Sequence, residues 1–134
     1  MYLLLKGHGV VKAKKIKDQN RFICTTTRNI TVICNSDQLD QLPHTLVVES
    51  LKGICDSTTE LNPLYWSTRY KDYEARLSSN DVIAWAKTVA ELRSAASKRD
   101  GLSFGERKML NRAITQLQEL YNAVGGASTS NNSA

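Results

Sequence analysis

The 134-residue chain predicts an α+β fold, with a small β-rich N-terminal domain followed by a compact C-terminal helical bundle. Three observations carry that expectation. Short β-branched runs separated by turn residues crowd into residues 2–34. From Trp66 onward, apolar residues recur at helical spacing instead. Between them, Gly53 to Pro63 holds no sustained pattern. The expected division is therefore a β-rich domain over 1–56, a linker over 57–63, a helical domain over 64–124 and a disordered tail over 125–134.

Tyr2 to Leu5 is a short apolar run, broken at Gly7-His8-Gly9, where a positive φ is easy. Val10 to Lys17 mixes β-branched residues with lysines, Asp18-Gln19-Asn20 is turn chemistry, and Arg21 to Thr26 returns as a strand. Arg28-Asn29 turns the chain again before Ile30 to Cys34. So many short strands in so few residues suggest a strongly bent sheet or partial barrel. Lys12, Lys14, Lys15 and Lys17 suit either nucleic-acid contact or the solvated, pairing-resistant face of a sheet. Gln38 to Leu42 reads as one helical turn stopped by Pro43, and His44 to Ser50 as a strand or apolar connector.

In the second region Asn62 is a candidate cap, with Pro63 in the first turn. Trp66, Tyr70, Tyr73 and Leu77 follow one helix face. A second helix is expected from Asp81 to Ala96, stopped by Lys98-Arg99-Asp100-Gly101, with Gly101 available for a left-handed cap. Ser103 and Glu106 have the spacing of a capping box opening a third helix. Its stripe of Leu110, Ala113, Ile114, Leu117, Leu120 and Tyr121 is the clearest periodic signal, and Gly125-Gly126 is expected to end it.

Composition excludes several classes. No run of about 18 apolar residues exists, so no ordinary spanning helix is expected, and Met1 to Leu5 is too short for a signal-peptide core. The chain is thus expected in the cytoplasm, away from membranes. The three cysteines (Cys24, Cys34, Cys55) and two histidines (His8, His44) show no metal-ligand spacing, so buried reduced thiols in the β-rich core are expected and no metal or cofactor. No phosphate loop, H-E-x-x-H or G-x-S-x-G motif occurs, and no catalytic residue is expected. Net charge is +5, with +2 in residues 1–62 and +3 in residues 63–134, which permits phosphate contact without demanding it.

The residues that invite a function are Trp66, Arg69 and Lys71, with Arg107, Lys108 and Arg112 further on. An aromatic near a helix start can stack on a base or wedge into a minor groove while cations neutralise phosphates. Trp66 is also in phase with Tyr70, Tyr73 and Leu77, and periodicity alone places it in the bundle core, as in a protein-interaction adaptor without DNA contact. The residue pattern as a whole leaves both open.

Trp66-Ser67, Arg69-Tyr70-Lys71, Leu77, Ser79 with Asp81, Ala86, Val89, Leu92 and the run Gly101-Leu102-Ser103-Phe104-Gly105-Glu106-Arg107-Lys108-Met109-Leu110 together carry a resemblance. Residues 64–121 look like the C-terminal domain of the CarD/CdnL family of bacterial RNA-polymerase-binding transcription regulators. His8-Gly9 and Ile30-Thr31-Val32 are similar to strands of that family's Tudor-like domain, whose sheet pairs with the polymerase β subunit. The resemblance implies a monomeric, non-enzymatic transcription regulator of a bacterium, or of a bacterial host cell if viral. It would bind the RNA polymerase β subunit and, at the upstream edge of the melted bubble, promoter DNA. It makes Trp66 the minor-groove wedge, with Arg69, Lys71, Arg107 and Lys108 at phosphates, and Tyr70, Leu77, Met109, Leu110 and Ala113 in the core. On the polymerase side it points to Ile30, Thr31, Val32 and Ile33. Ile33 stands where an Arg is expected, with Arg21 and Arg28 as substitutes.

Overall fold

The computed structural model describes residues 1–17, 19–60 and 65–132, with backbone alone from 126 onward. Four strands form where the short apolar and β-branched runs lie: β1 (Tyr2–Leu5), β2 (Gly9–Lys15), β3 (Arg21–Thr26) and β4 (Thr31–Asn35). After a 3-10 turn at Ser36–Gln38, β5 (Leu39–Gln41) pairs with the free side of β1. The sheet is antiparallel throughout, in the order β4-β3-β2-β1-β5. Gly7 and Gly9 take φ of 82° and 71° at the first reversal, and Asn29 takes 62° at the turn between β3 and β4. The helical turn expected over Gln38 to Leu42 is thus replaced by a short edge strand.

His44 to Ser50 corrects a second expectation, because it belongs to helix α1 (Thr45–Cys55). Pro43 brings the chain in extended, and His44 Nδ1 accepts the Leu46 N–H at 3.1 Å as a side-chain cap. Val48 and Leu51 then lie buried on one face, with Val47, Ile54 and Cys55 half-buried beside them. Two adjacent valines read locally as strand; burial of a helical stripe overrides that weak preference.

Helices α2 (Trp66–Ser78), α3 (Val82–Arg99) and α4 (Phe104–Asn132) follow. Asn62 and Pro63 lie outside the described residues, and Tyr65 holds the N-cap position of α2 without a side-chain bond. Asp81 caps α3, its Oδ1 accepting the Ile83 and Ala84 amides at 3.1 and 3.3 Å. Asp100, rather than Gly101, is the left-handed residue (φ 57°) that ends α3, three residues later than expected. Helix α4 continues through Gly125-Gly126 to Asn132, where a stop and a disordered tail were expected. Once a helix is nucleated, each glycine costs only about 1 kcal/mol relative to alanine, so two need not end it.

The sheet and the helices share one core. Leu4 and Val10 from the sheet join Val48, Leu51, Tyr73, Leu77, Trp85, Leu92, Met109 and Leu120 from the four helices. Polar contacts fix the same junction. The Gly7 N–H donates to the Ser78 carbonyl at 2.8 Å, and Asn80 Nδ2 donates to the Leu4 carbonyl at 3.2 Å and to Asp40 Oδ2 at 2.8 Å. Among the described residues, one core thus runs across the boundary expected over 57–63, of which 61–63 lie outside the described residues. A smaller cluster, Leu3, Leu5, Val11, Ala13, Cys24 and Cys34, fills the bend of the sheet. Cys24 and Cys34 meet there, Sγ to Sγ 3.5 Å, whereas Cys55 sits half-buried in the helical layer, not in the β-rich core.

Candidate nucleic-acid interface

The start of α2 is built around Trp66. Its indole is half-buried and lies against Gly105 at the start of α4, where an added Cβ would stand 3.2 Å from Trp66 Cζ2. A side chain at that distance would push the ring back by a few tenths of an ångström, so glycine sets how closely it packs. One turn on, the Arg69 guanidinium sits 5.2 Å from the indole centroid, a cation–π distance. Tyr70 meets the ring edge-on at 5.8 Å and Tyr73 lies tilted at 6.3 Å. Trp66 is therefore held from several sides without being enclosed.

Arg69 departs from its expected role at DNA phosphates. It is only 7% exposed, and its Nη2 donates to Glu106 Oε2 at 2.9 Å. Glu106, 2% exposed, is the hub of this corner. Its Oε1 accepts the Ser103 amide at 3.0 Å while Ser103 Oγ accepts the Glu106 amide at 3.2 Å, the reciprocal capping box read from the sequence. Arg99 pairs with the same carboxylate. Burial disfavours the charge of Glu106, but the Ser103 amide and the two guanidinium groups outweigh it and pull its pKa down to about 2. A buried charge paired in this way positions its neighbours, so Arg69 acts on Trp66 and not on solvent.

Lys71, Arg107 and Lys108 are exposed, as a phosphate contact requires. Lys71 follows Trp66 by five residues and so lies about 140° round the helix, on a different face. Lys108 Nζ stands 5.5 Å over the Phe104 ring at the start of α4. Arg112 is engaged by Glu74 and Gln116. Tyr70, expected in the core, is exposed at its rim, while Tyr73, Leu77, Met109 and Ala113 are buried and Leu110 partly so. Two aromatics escaped the sequence reading: Tyr65 is 88% exposed and Phe104 70%. Each stands at a helix start, outside the apolar stripe, and that displacement is the signal that could have found them.

The other candidate surface is the edge strand β4. The Thr26 N–H donates to the Ile30 carbonyl, which sets the hydrogen-bonded pairs of the β3–β4 ladder at Thr26:Ile30, Cys24:Val32 and Phe22:Cys34. Main-chain groups of Thr31 and Ile33 consequently point to the open edge. Ile33, 59% exposed, pairs across the strand with Ile23, which in turn faces Lys14. Val32 turns inward onto the smaller cluster, and Arg21 lies exposed at the start of β3. Arg28 does not join this edge; it lines a groove against α4.

A five-stranded antiparallel sheet followed by, and packed against, a layer of four helices makes this an α+β protein. The family model for the CarD C-terminal domain matches residues 47–130, and the chain belongs to the CarD/CdnL family. That match begins inside α1, which groups α1 with the helices that follow it. No curated protein matches the chain. The family is one of non-enzymatic transcription factors associated with RNA polymerase. Among the described residues, no helix is long and apolar enough to cross a membrane.

Proposed function

We propose that this protein binds the RNA polymerase β subunit through the open edge of β4 and contacts promoter DNA with the paired starts of α2 and α4. The half-buried indole of Trp66, gripped by Arg69 and Gly105, is the observation that carries this reading. A ring held in this way keeps its remaining exposed edge in a fixed direction, which suits insertion beside a base step. Arg107 and Lys108 supply phosphate contacts beside it, and Lys71, about 140° round α2 from Trp66, reaches a more distant phosphate.

A wedge of this kind binds distorted or melted DNA better than relaxed duplex, so it shifts the promoter equilibrium toward the open complex. Tethering to polymerase raises the local concentration, so a few phosphate contacts suffice. That agrees with a helical half carrying only +3. On the polymerase side, the unpaired Thr31 and Ile33 backbone and the exposed Ile30 and Ile33 side chains support strand addition to a partner sheet, with Arg21 at its margin. Co-purification of purified polymerase with wild type and with an Ile33→Pro variant tests this half. Retained binding by a folded Ile33→Pro protein overturns it.

A further inference from the structure

The groove between α2 and α4 runs on from the wedge site, sharing with it Lys108 and Gly105, the residue that touches Trp66. Tyr70 and Phe104 stand on its walls, and Lys108 lies above the Phe104 ring. The turn between β3 and β4 reaches its lining through Arg28. Thr27 Oγ1 donates to Glu119 Oε1 of α4 at 2.7 Å, and this anchors the turn and directs Arg28 into the groove lining. Three cations, Arg28, Lys108 and Arg112, line the groove against the single carboxylate of Glu74, which is already paired with Arg112. Arg28 and Lys108 form no ion pair among the described residues.

We infer that this groove takes an unpaired nucleic-acid strand, with Phe104 and Tyr70 stacking on bases and Arg28 and Lys108 at phosphates. Exposed aromatic faces beside uncompensated cations are the chemistry that recognises single strands without reading sequence. A duplex hides its base faces and cannot use such walls. Adjacency to Trp66 supplies the order of events, because a strand released where the wedge enters emerges next to Gly105. Arg28 thereby moves from the polymerase surface to the nucleic-acid surface. The inference rests on the reading of Trp66 as a DNA wedge.

Fluorescence anisotropy at low salt, comparing a blunt duplex with the same duplex carrying an unpaired oligo-dT tail, tests it. Wild type is expected to bind the tailed DNA at least about fivefold tighter. Arg28→Ala and Phe104→Leu, both at exposed positions, are expected to erase that preference and leave blunt-duplex affinity within about twofold. Trp66→Ala lowers both affinities. The salt slope on tailed DNA is expected to fall by about 0.7 in Arg28→Ala, the loss of one single-strand phosphate contact. Equal wild-type affinity for blunt and tailed DNA overturns the groove and leaves the wedge standing, as does a tail preference that survives both variants. Poly-glutamate competing as well as oligo-dT assigns the groove to an acidic peptide and overturns the proposal. Absence of binding to either DNA at low salt overturns the groove, while the wedge, which polymerase tethers, is judged by open-complex lifetime.

Discussion

Glu106 concentrates the most consequence in one side chain. Its carboxylate neutralises two guanidinium groups and caps α4, so Glu106→Gln leaves the buried Arg69 charge without its counter-ion. Breaking a buried pair from one side costs about 3–5 kcal/mol, which sets the expected loss in urea unfolding. The pH dependence has a definite sign. With a folded pKa of about 2 against an ordinary 4.5, Glu106 contributes stability that is fully present above pH 4.5 and is lost as pH falls toward 2. The shift corresponds to about 3 kcal/mol, and Glu106→Gln should flatten this part of the acid-unfolding profile. Gly105→Ala tests the neighbour. Helix propensity favours alanine by about 1 kcal/mol, while its Cβ crowds Trp66 at 3.2 Å. The half-exposed ring can yield outward, so thermal stability should change little while Trp66 emission shifts to the red and DNA affinity drops.

Among the elements, the edge strand β4 makes the sharpest prediction. Ile33 N–H points away from β3, so Ile33→Pro removes no ladder hydrogen bond and should retain the far-ultraviolet spectrum of the parent while losing polymerase binding. A Cys24→Pro variant, whose N–H belongs to the ladder, should instead unfold the sheet. Elements also show where sequence is legible. The first four strands, the start of α3 near Asp81 and the Ser103–Glu106 box were readable because each depends on residues a few positions apart. Helix α1 was not, since Val47-Val48 favours a strand locally and only packing against α3 makes it helical. The site divided in the same way. Glu106 and Trp66 stood in a recognisable run, but no spacing shows that Arg69 turns inward to a carboxylate 37 positions away. Nor does any spacing place Arg28 against α4, because the β3–β4 turn reaches it only through the folded sheet.

Across the whole molecule, the shared core means that sheet and helices should unfold together. Leu4→Ala, 1% exposed in the parent and packed into the helical core, should cost about 2–5 kcal/mol and lower the stability of both halves. Coincident transitions by tryptophan fluorescence and far-ultraviolet circular dichroism check this, since Trp85 lies in that core. Separate transitions would show the halves to be independent. A rigid junction suits the proposed function, because an edge anchored on polymerase then aims Trp66 without a hinge. Open-complex lifetime at a promoter, measured with purified polymerase and either wild type or Trp66→Ala, tests the central claim most directly. The account predicts that wild type lengthens the lifetime and that Trp66→Ala, still folded and still bound to polymerase, loses most of that effect. A lifetime equally extended by Trp66→Ala would contradict it.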